Sequence, residues 1–150
     1  MVRIRAMKKE DIRQVLQLEE ECFPPDFMFS EQDLRAILHP DSRWLALVAY
    51  EFHHAVVGHL IMRPLGDAAS LQSCAVGKPF RRLGIATKLL REARELFPVS
   101  EFVCVVRDDF LLAQQWLRTN HFTAVEIERG LFGNHDGYTF SWLRSESQKR

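Results

Sequence analysis

Cysteine is scarce in this chain. The three residues, Cys22, Cys74 and Cys104, are odd in number, far apart and without a C-x-x-C spacing. That excludes a disulfide framework, and their apolar surroundings predict buried free thiols in a reducing compartment. An excess of either charge is missing as well. Lys+Arg and Asp+Glu both number 20, so the formal net charge is zero, which argues against binding nucleic acid through bulk charge. No apolar run reaches the length of a membrane span. The opening residues, MVRIRAMKKEDI, carry charge where a signal peptide would carry its apolar core. Repeats, linkers and low-complexity segments are absent too. The expectation is a soluble cytoplasmic protein with neither a membrane nor a nucleic acid as partner.

What is present is enough for one core. The chain has 150 residues, 47% of them hydrophobic, a single domain's worth that needs neither disulfides nor metal to hold it. Residues 2–6 alternate and predict a strand. Ile12, Val15, Leu16 and Leu18 recur at helical spacing, and Pro24 and Pro25 end that helix. Ser30 is a candidate N-cap for a short second helix that stops before Pro40. Residues 42–51, 55–65 and 69–76 predict a meander of strands, with a tight connection at residues 52–54. After Gly84 the period changes, and Ile85, Ala86, Leu89, Leu90, Ala93, Leu96 and Phe97 form one helical stripe. Residues 101–106 are nearly all apolar, as in a strand buried on both faces. A helix over residues 109–120 follows, with Asp109 as its N-cap, then two strands around the Gly- and Asn-rich run GLFGNHDG. The order β-α-α-β-β-β-α-β-α-β-β predicts an α/β (α+β) domain with a mixed sheet and helices on both faces. Residues 145–150 read as a polar tail.

The stretch CAVGKPFRRLGIATKLLREA (residues 74–93) places cations and a glycine where a strand hands over to a helix. A helix N-terminus offers unpaired N–H groups and the positive end of its dipole, so it is suited to an anion. Gly84 lets a ligand approach the backbone. Arg81 and Arg82 add fork-shaped donors for phosphate oxygens. The run matches neither G-x-x-x-x-G-K-[ST] nor G-x-G-x-x-G.

Arg81-Arg82-Leu83-Gly84-Ile85-Ala86 resembles the Q/R-x-x-G-x-G/A signature of the GCN5-related N-acetyltransferase (GNAT) superfamily, and the resemblance extends over the whole chain in length and element order. Within it, DIRQVLQLEEECFPPDFMFSEQDL, VVRDDFLLAQQWLRTNHF and ERGLFGNHDGYTFSWL resemble segments of the enzymes that acetylate the N-terminal alanine of ribosomal proteins. The resemblance implies a GNAT fold over residues 1–144, with a mostly antiparallel sheet splayed between its fourth and fifth strands. It implies acetyl-CoA as cosubstrate, no metal, a primary amine as acceptor (a protein N-terminus or a small molecule), direct transfer, and a possible homodimer. Cys74 and Val76 would meet the pantetheine amides. Arg81, Arg82, Leu83, Gly84, Ile85 and Ala86 would grip the pyrophosphate, with Thr87 close behind and Arg82 reaching a phosphate. Phe23, Phe27 and Tyr138 would line the acceptor side.

The catalytic positions depart from the pattern. The ribosomal subgroup has a glutamate on the fifth strand and Asn-x-x-Ala-x-x-x-Tyr on the next helix. Here those positions read Val105, Phe110, Ala113 and Leu117, and its Gly-Phe ending reads His121 and Phe122. His59 and Tyr138 are the substitute acid or base candidates. Three readings stay open: an acetyltransferase that works by positioning, a non-catalytic acyl-CoA-binding domain, and a plain interaction domain that kept the fold, against which residues 81–86 argue.

Overall fold

Alternating and helical patterns turn into strands and helices close to where the sequence puts them. In the structure, a computed structural model that describes residues 1–52 and 55–144, the chain runs β1 (Arg3–Ala6), α1 (Ile12–Cys22), α2 (Glu31–Ile37), β2 (Leu45–Glu51), β3 (Ala55–Leu65), β4 (Ala68–Val76), α3 (Ile85–Leu96), β5 (Glu101–Arg107), α4 (Leu111–Thr119), β6 (Thr123–Phe132) and β7 (His135–Leu143). The seven strands form one mixed sheet in the order β1-β2-β3-β4-β5-β7-β6. It is mostly antiparallel; β4 and β5 pair parallel over Ala68↔Glu101, Ala69↔Phe102 and Ser70↔Val103. His53 and His54 in the expected turn, and the expected tail at residues 145–150, lie outside the described residues. None of the described helices is long and apolar enough to cross a membrane.

Internal contacts divide the chain into two compact units. The first comprises Met1–Arg63 with Gln72–Pro98. In its core Val15 and Leu18 of α1 and Leu34 and Ile37 of α2 pack on Ala46, Val48 and Ile61 of the sheet. Burying a leucine or valine completely is worth about 1.5–3 kcal/mol, so this face supplies much of the unit's stability. Ser30 caps α2 as expected: its hydroxyl accepts from the Asp33 N–H at 3.0 Å while the Asp33 carboxylate accepts from the Ser30 N–H at 3.0 Å. β3 shows why α1 and α3 flank opposite faces. The His59 ring reaches Glu19 of α1 at 2.7 Å. A Cβ on its neighbour Gly58 would lie 3.5 Å from Ile85 Cγ2 of α3, because successive strand residues point to opposite sides. β2 begins at Leu45 rather than at residue 42. The Ser42 hydroxyl accepts from the Trp44 N–H at 3.2 Å, a local turn that competes with the ladder.

The second unit comprises Pro64–Leu71 and the chain from Val99 onward. Phe102 of β5 and Phe140 and Trp142 of β7 are buried together with Leu117 of α4. The Arg118 guanidinium lies 5.4 Å from the Phe140 ring centroid. β6 closes the edge of the sheet and is exposed along nearly its whole length. Two details correct or extend the sequence reading. Asp109 is not the cap of α4; Phe110 holds that position without a side-chain hydrogen bond. The Asp109 carboxylate instead binds Arg107 through Nε at 2.6 Å and Nη2 at 3.3 Å, and a two-point charged pair outcompetes a single capping bond. At the other end His121 takes a left-handed φ of 70°. The His121 N–H bonds Arg118 O and the Phe122 N–H bonds Leu117 O, both at 3.0 Å. This is the Schellman closure that usually takes glycine.

Candidate functional site

The turn between β4 and α3 is built for an open backbone. Gly77 N–H closes on Val57 O at 2.8 Å, a 3-10 turn follows at Lys78–Phe80, and Arg81 is extended. Arg82 then adopts φ 67° and Gly84 φ 77°. Left-handed residues in a turn gather successive N–H groups into a concave, anion-binding surface. Gly84 is the N-cap of α3 and supplies no side-chain bond, and no acidic residue occupies the first turn. The first N–H groups of α3 therefore face outward at the positive end of its dipole. A Cβ built on Gly84 meets no atom within 4 Å, so the space beside the loop is open.

The two arginines do different things. Arg81 turns back into the protein: its Nε donates to Val76 O at 2.9 Å and its Nη2 to Cys22 Sγ at 3.3 Å, with Glu21 at 4.0 Å. Burial pushes the Cys22 thiol up, against the pull of Arg81. Val76 O, expected to meet the pantetheine, thus already accepts Arg81 and, at 3.8 Å, the Cys22 thiol. Arg82 is exposed and has no hydrogen bond or ion pair among the described residues. Leu83 is exposed, Ile85 is buried in the core, and Cys74, Val76, Ala86 and Thr87 are half-buried.

Phe23 and Phe27 are half-buried on the connection from α1 to α2, where a 3-10 turn spans Pro25–Phe27. The Phe29 ring stands edge-on to Trp44, with centroids 6.3 Å apart and planes at 88°. Together with Asp33, Ala36, Ile37 and Ser42 they line a groove of about 230 Å³. Beneath this connection lies a cluster that the sequence reading did not find. Glu19 is 0% exposed. Its Oε1 accepts from the Phe29 N–H at 2.9 Å, and its Oε2 accepts from Ser73 Oγ at 2.6 Å and meets His59 Nε2 at 2.7 Å. His59 Nδ1 is buried without a hydrogen-bond partner among the described residues. His59 therefore sits inside the fold, not in an open cleft. A signal existed: Glu19 follows Ile12 and Val15 at helical spacing on the apolar stripe of α1, where a carboxylate is out of place unless something meets it.

In the second unit Tyr138 is half-buried on β7, opposite Val106 on one side and Ile127 on the other. Val105 is 45% exposed and Leu117 1% exposed. The three cysteines are free, as expected, but each residue is half-buried; burial pushes the Cys104 thiol up to about 12. Asp108, Asp109 and His135 come together at the end of β5. The Asp136 N–H and then His135 Nδ1, at 2.8 Å, hold the Asp108 carboxyl below its ordinary value. Arg107 does the same for Asp109.

The model of the acetyltransferase (GNAT) family matches residues 12–122. This chain belongs to that family. The matched span runs from α1 through α4 and includes the β4–α3 turn; β1, β6 and β7 lie outside it. A search of curated proteins returns no match. Solved structures of similar shape include the ribosomal-protein-S18-alanine N-acetyltransferase from Escherichia coli, at 19% identity and TM-score 0.79 over 95% of this chain and 94% of that one. Another is NAA60 from Arabidopsis thaliana in complex with a bisubstrate analogue, at 16% identity and TM-score 0.80 over 95% and 98%. A third is the PaiA N-acetyltransferase from Thermoplasma acidophilum in complex with coenzyme A, at 13% identity and TM-score 0.80 over 95% and 99%. At these identities the likeness establishes a shared GNAT fold.

Proposed function

We propose that residues 1–144 form an acetyltransferase domain that moves the acetyl group of acetyl-CoA to a primary amine, a protein N-terminus or a small molecule, by direct transfer. The observation that carries this reading is the β4–α3 turn. It combines two left-handed residues and open space at Gly84 with an exposed Arg82 that has no partner among the described residues, at the N-terminus of a 12-residue helix. The N–H groups of that turn would hold the pyrophosphate, and Arg82 a phosphate oxygen. Arg81 would brace the loop against α1. Phe23 and Phe27 would face the acceptor, which favours an apolar or aromatic amine over a polycation.

In the transfer, the neutral amine nitrogen attacks the thioester carbonyl, the N–C bond forms, the C–S bond breaks, the nitrogen gives up a proton to water, and the CoA thiolate leaves and takes up a proton. Val105 and Leu117 can neither accept nor donate that proton, and both ring nitrogens of His59 are buried. The chain's own part is therefore positioning, with water carrying protons. Holding both reactants in line is worth about 7–11 kcal/mol of barrier in well-oriented systems, and a thiolate leaves readily. The same two side chains favour a second reading, an acyl-CoA-binding domain that does not turn over. Calorimetric titration with acetyl-CoA and with 3′-dephospho-CoA tests the shared part: saturable binding, weaker for the dephospho form, supports the loop assignment, and no binding at millimolar ligand refutes it. Thiol release from acetyl-CoA across a panel of peptide N-termini and small amines separates the two readings.

A further inference from the structure

Glu19 is a buried carboxylate that the transfer itself does not use. Resting on the acceptor-side reading of the connection after α1, we infer that Glu19 is a positioning residue: it pins that connection to the sheet and so sets the acceptor side of the site. The geometry is specific. One oxygen, Oε1, is given wholly to the connection, accepting from the Phe29 N–H at 2.9 Å. The other, Oε2, is given to the strands, accepting from Ser73 of β4 at 2.6 Å and hydrogen-bonded with His59 Nε2 of β3 at 2.7 Å. Glu19 and His59 are 0% exposed and Ser73 is 5% exposed, so water does not compete for these bonds. Ser73 immediately precedes Cys74, and Phe29 supplies a wall of the groove against Trp44. The segment between these anchors, Phe23 to Met28, is exposed or half-buried, and it contains both aromatic residues assigned to the acceptor. A carboxylate can serve the two sides at once because both its oxygens accept. A methionine side chain of similar length can serve neither, since it offers no oxygen acceptor.

Glu19→Met therefore releases the connection from the strands, and amide hydrogen exchange reads the result. In the wild type the Phe29 amide is expected to exchange at least about tenfold more slowly than that of exposed Asp26, the protection one charged hydrogen bond gives. That comparison needs no variant, and equal rates overturn the proposal. In Glu19→Met, exchange across residues 23–30 should rise by about tenfold or more, while α3 exchange and the acetyl-CoA Kd stay within about twofold. In Ser73→Ala, which leaves the Phe29 bond in place, residues 23–30 should stay close to wild type. An unchanged connection in Glu19→Met, or loosening spread evenly over α3 and β2, overturns the proposal, because the carboxylate would then be only a stability element. For any amine turned over in the panel, Glu19→Met should raise its KM several-fold with the KM of acetyl-CoA unchanged; the reverse pattern overturns it. Failure of the wild type to bind acetyl-CoA refutes the function reading instead and leaves the exchange result to be judged separately.

Discussion

Replacing Gly84 distinguishes a loop shaped for its own backbone from a loop shaped for a ligand. Its φ of 77° lies in the left-handed region, where a Cβ costs about 1–2 kcal/mol. The same Cβ would meet no atom within 4 Å, so no steric term adds to that cost. Gly84→Ala should therefore lower stability by about 1–2 kcal/mol and the Tm by about 2–8 °C, with an unchanged slope in denaturant. Whatever acetyl-CoA affinity is lost in the folded variant cannot come from a clash inside the protein. It must come from the ligand occupying the open space. Gly84→Glu adds bulk and a negative charge at the same point and should abolish measurable binding, with a stability loss close to that of the alanine variant. The assay is thermal melting paired with calorimetric titration of acetyl-CoA on both variants. If Gly84→Glu melts as expected and still binds acetyl-CoA with wild-type affinity, the pyrophosphate does not sit on this turn.

Other residues make separate claims. His121→Gly relieves a left-handed non-glycine residue at φ 70° and should stabilise the protein by about 0.5–1 kcal/mol, seen as a higher Tm; a lower Tm would mean that the histidine side chain holds the end of α4. Ser30→Ala removes the cap that bonds the Asp33 N–H at 3.0 Å and should cost about 0.5–2 kcal/mol, read as a lower urea midpoint. Arg82→Ala should weaken acetyl-CoA binding about tenfold or more and leave the Tm unchanged, whereas Arg81→Ala should lower the Tm, since its guanidinium braces Val76 and Cys22. The folded Asp108 and Asp109 carboxyls lie below their ordinary 3.8. The stability they contribute is thus present above that value and is lost as pH falls through the lower folded values. Melting curves down to about pH 2 should show a smaller acid loss in Asp108→Asn than in the wild type, and equal losses would remove these carboxyls from the account.

Period and punctuation alone determined most of the architecture. The element order, the Ser30 cap and the glycine opening α3 follow from local rules that bind neighbours in sequence: alternation for strands, a 3.6-residue stripe for helices, and backbone space at Gly84. The family signature was legible for the same reason, since residues 81–86 are contiguous. Only the tertiary structure separated Arg81 from Arg82. Two adjacent cations look alike in sequence, but one reaches a carbonyl and a thiol brought close by folding, and the other does not. Asp109 lost its expected capping role to Arg107, a competition decided by side-chain geometry. Glu19, His59 and Ser73 lie 40 and 14 residues apart along the chain, so no local pattern joins them. A buried carboxylate is affordable only where donors from separate elements converge, and that convergence exists only in three dimensions.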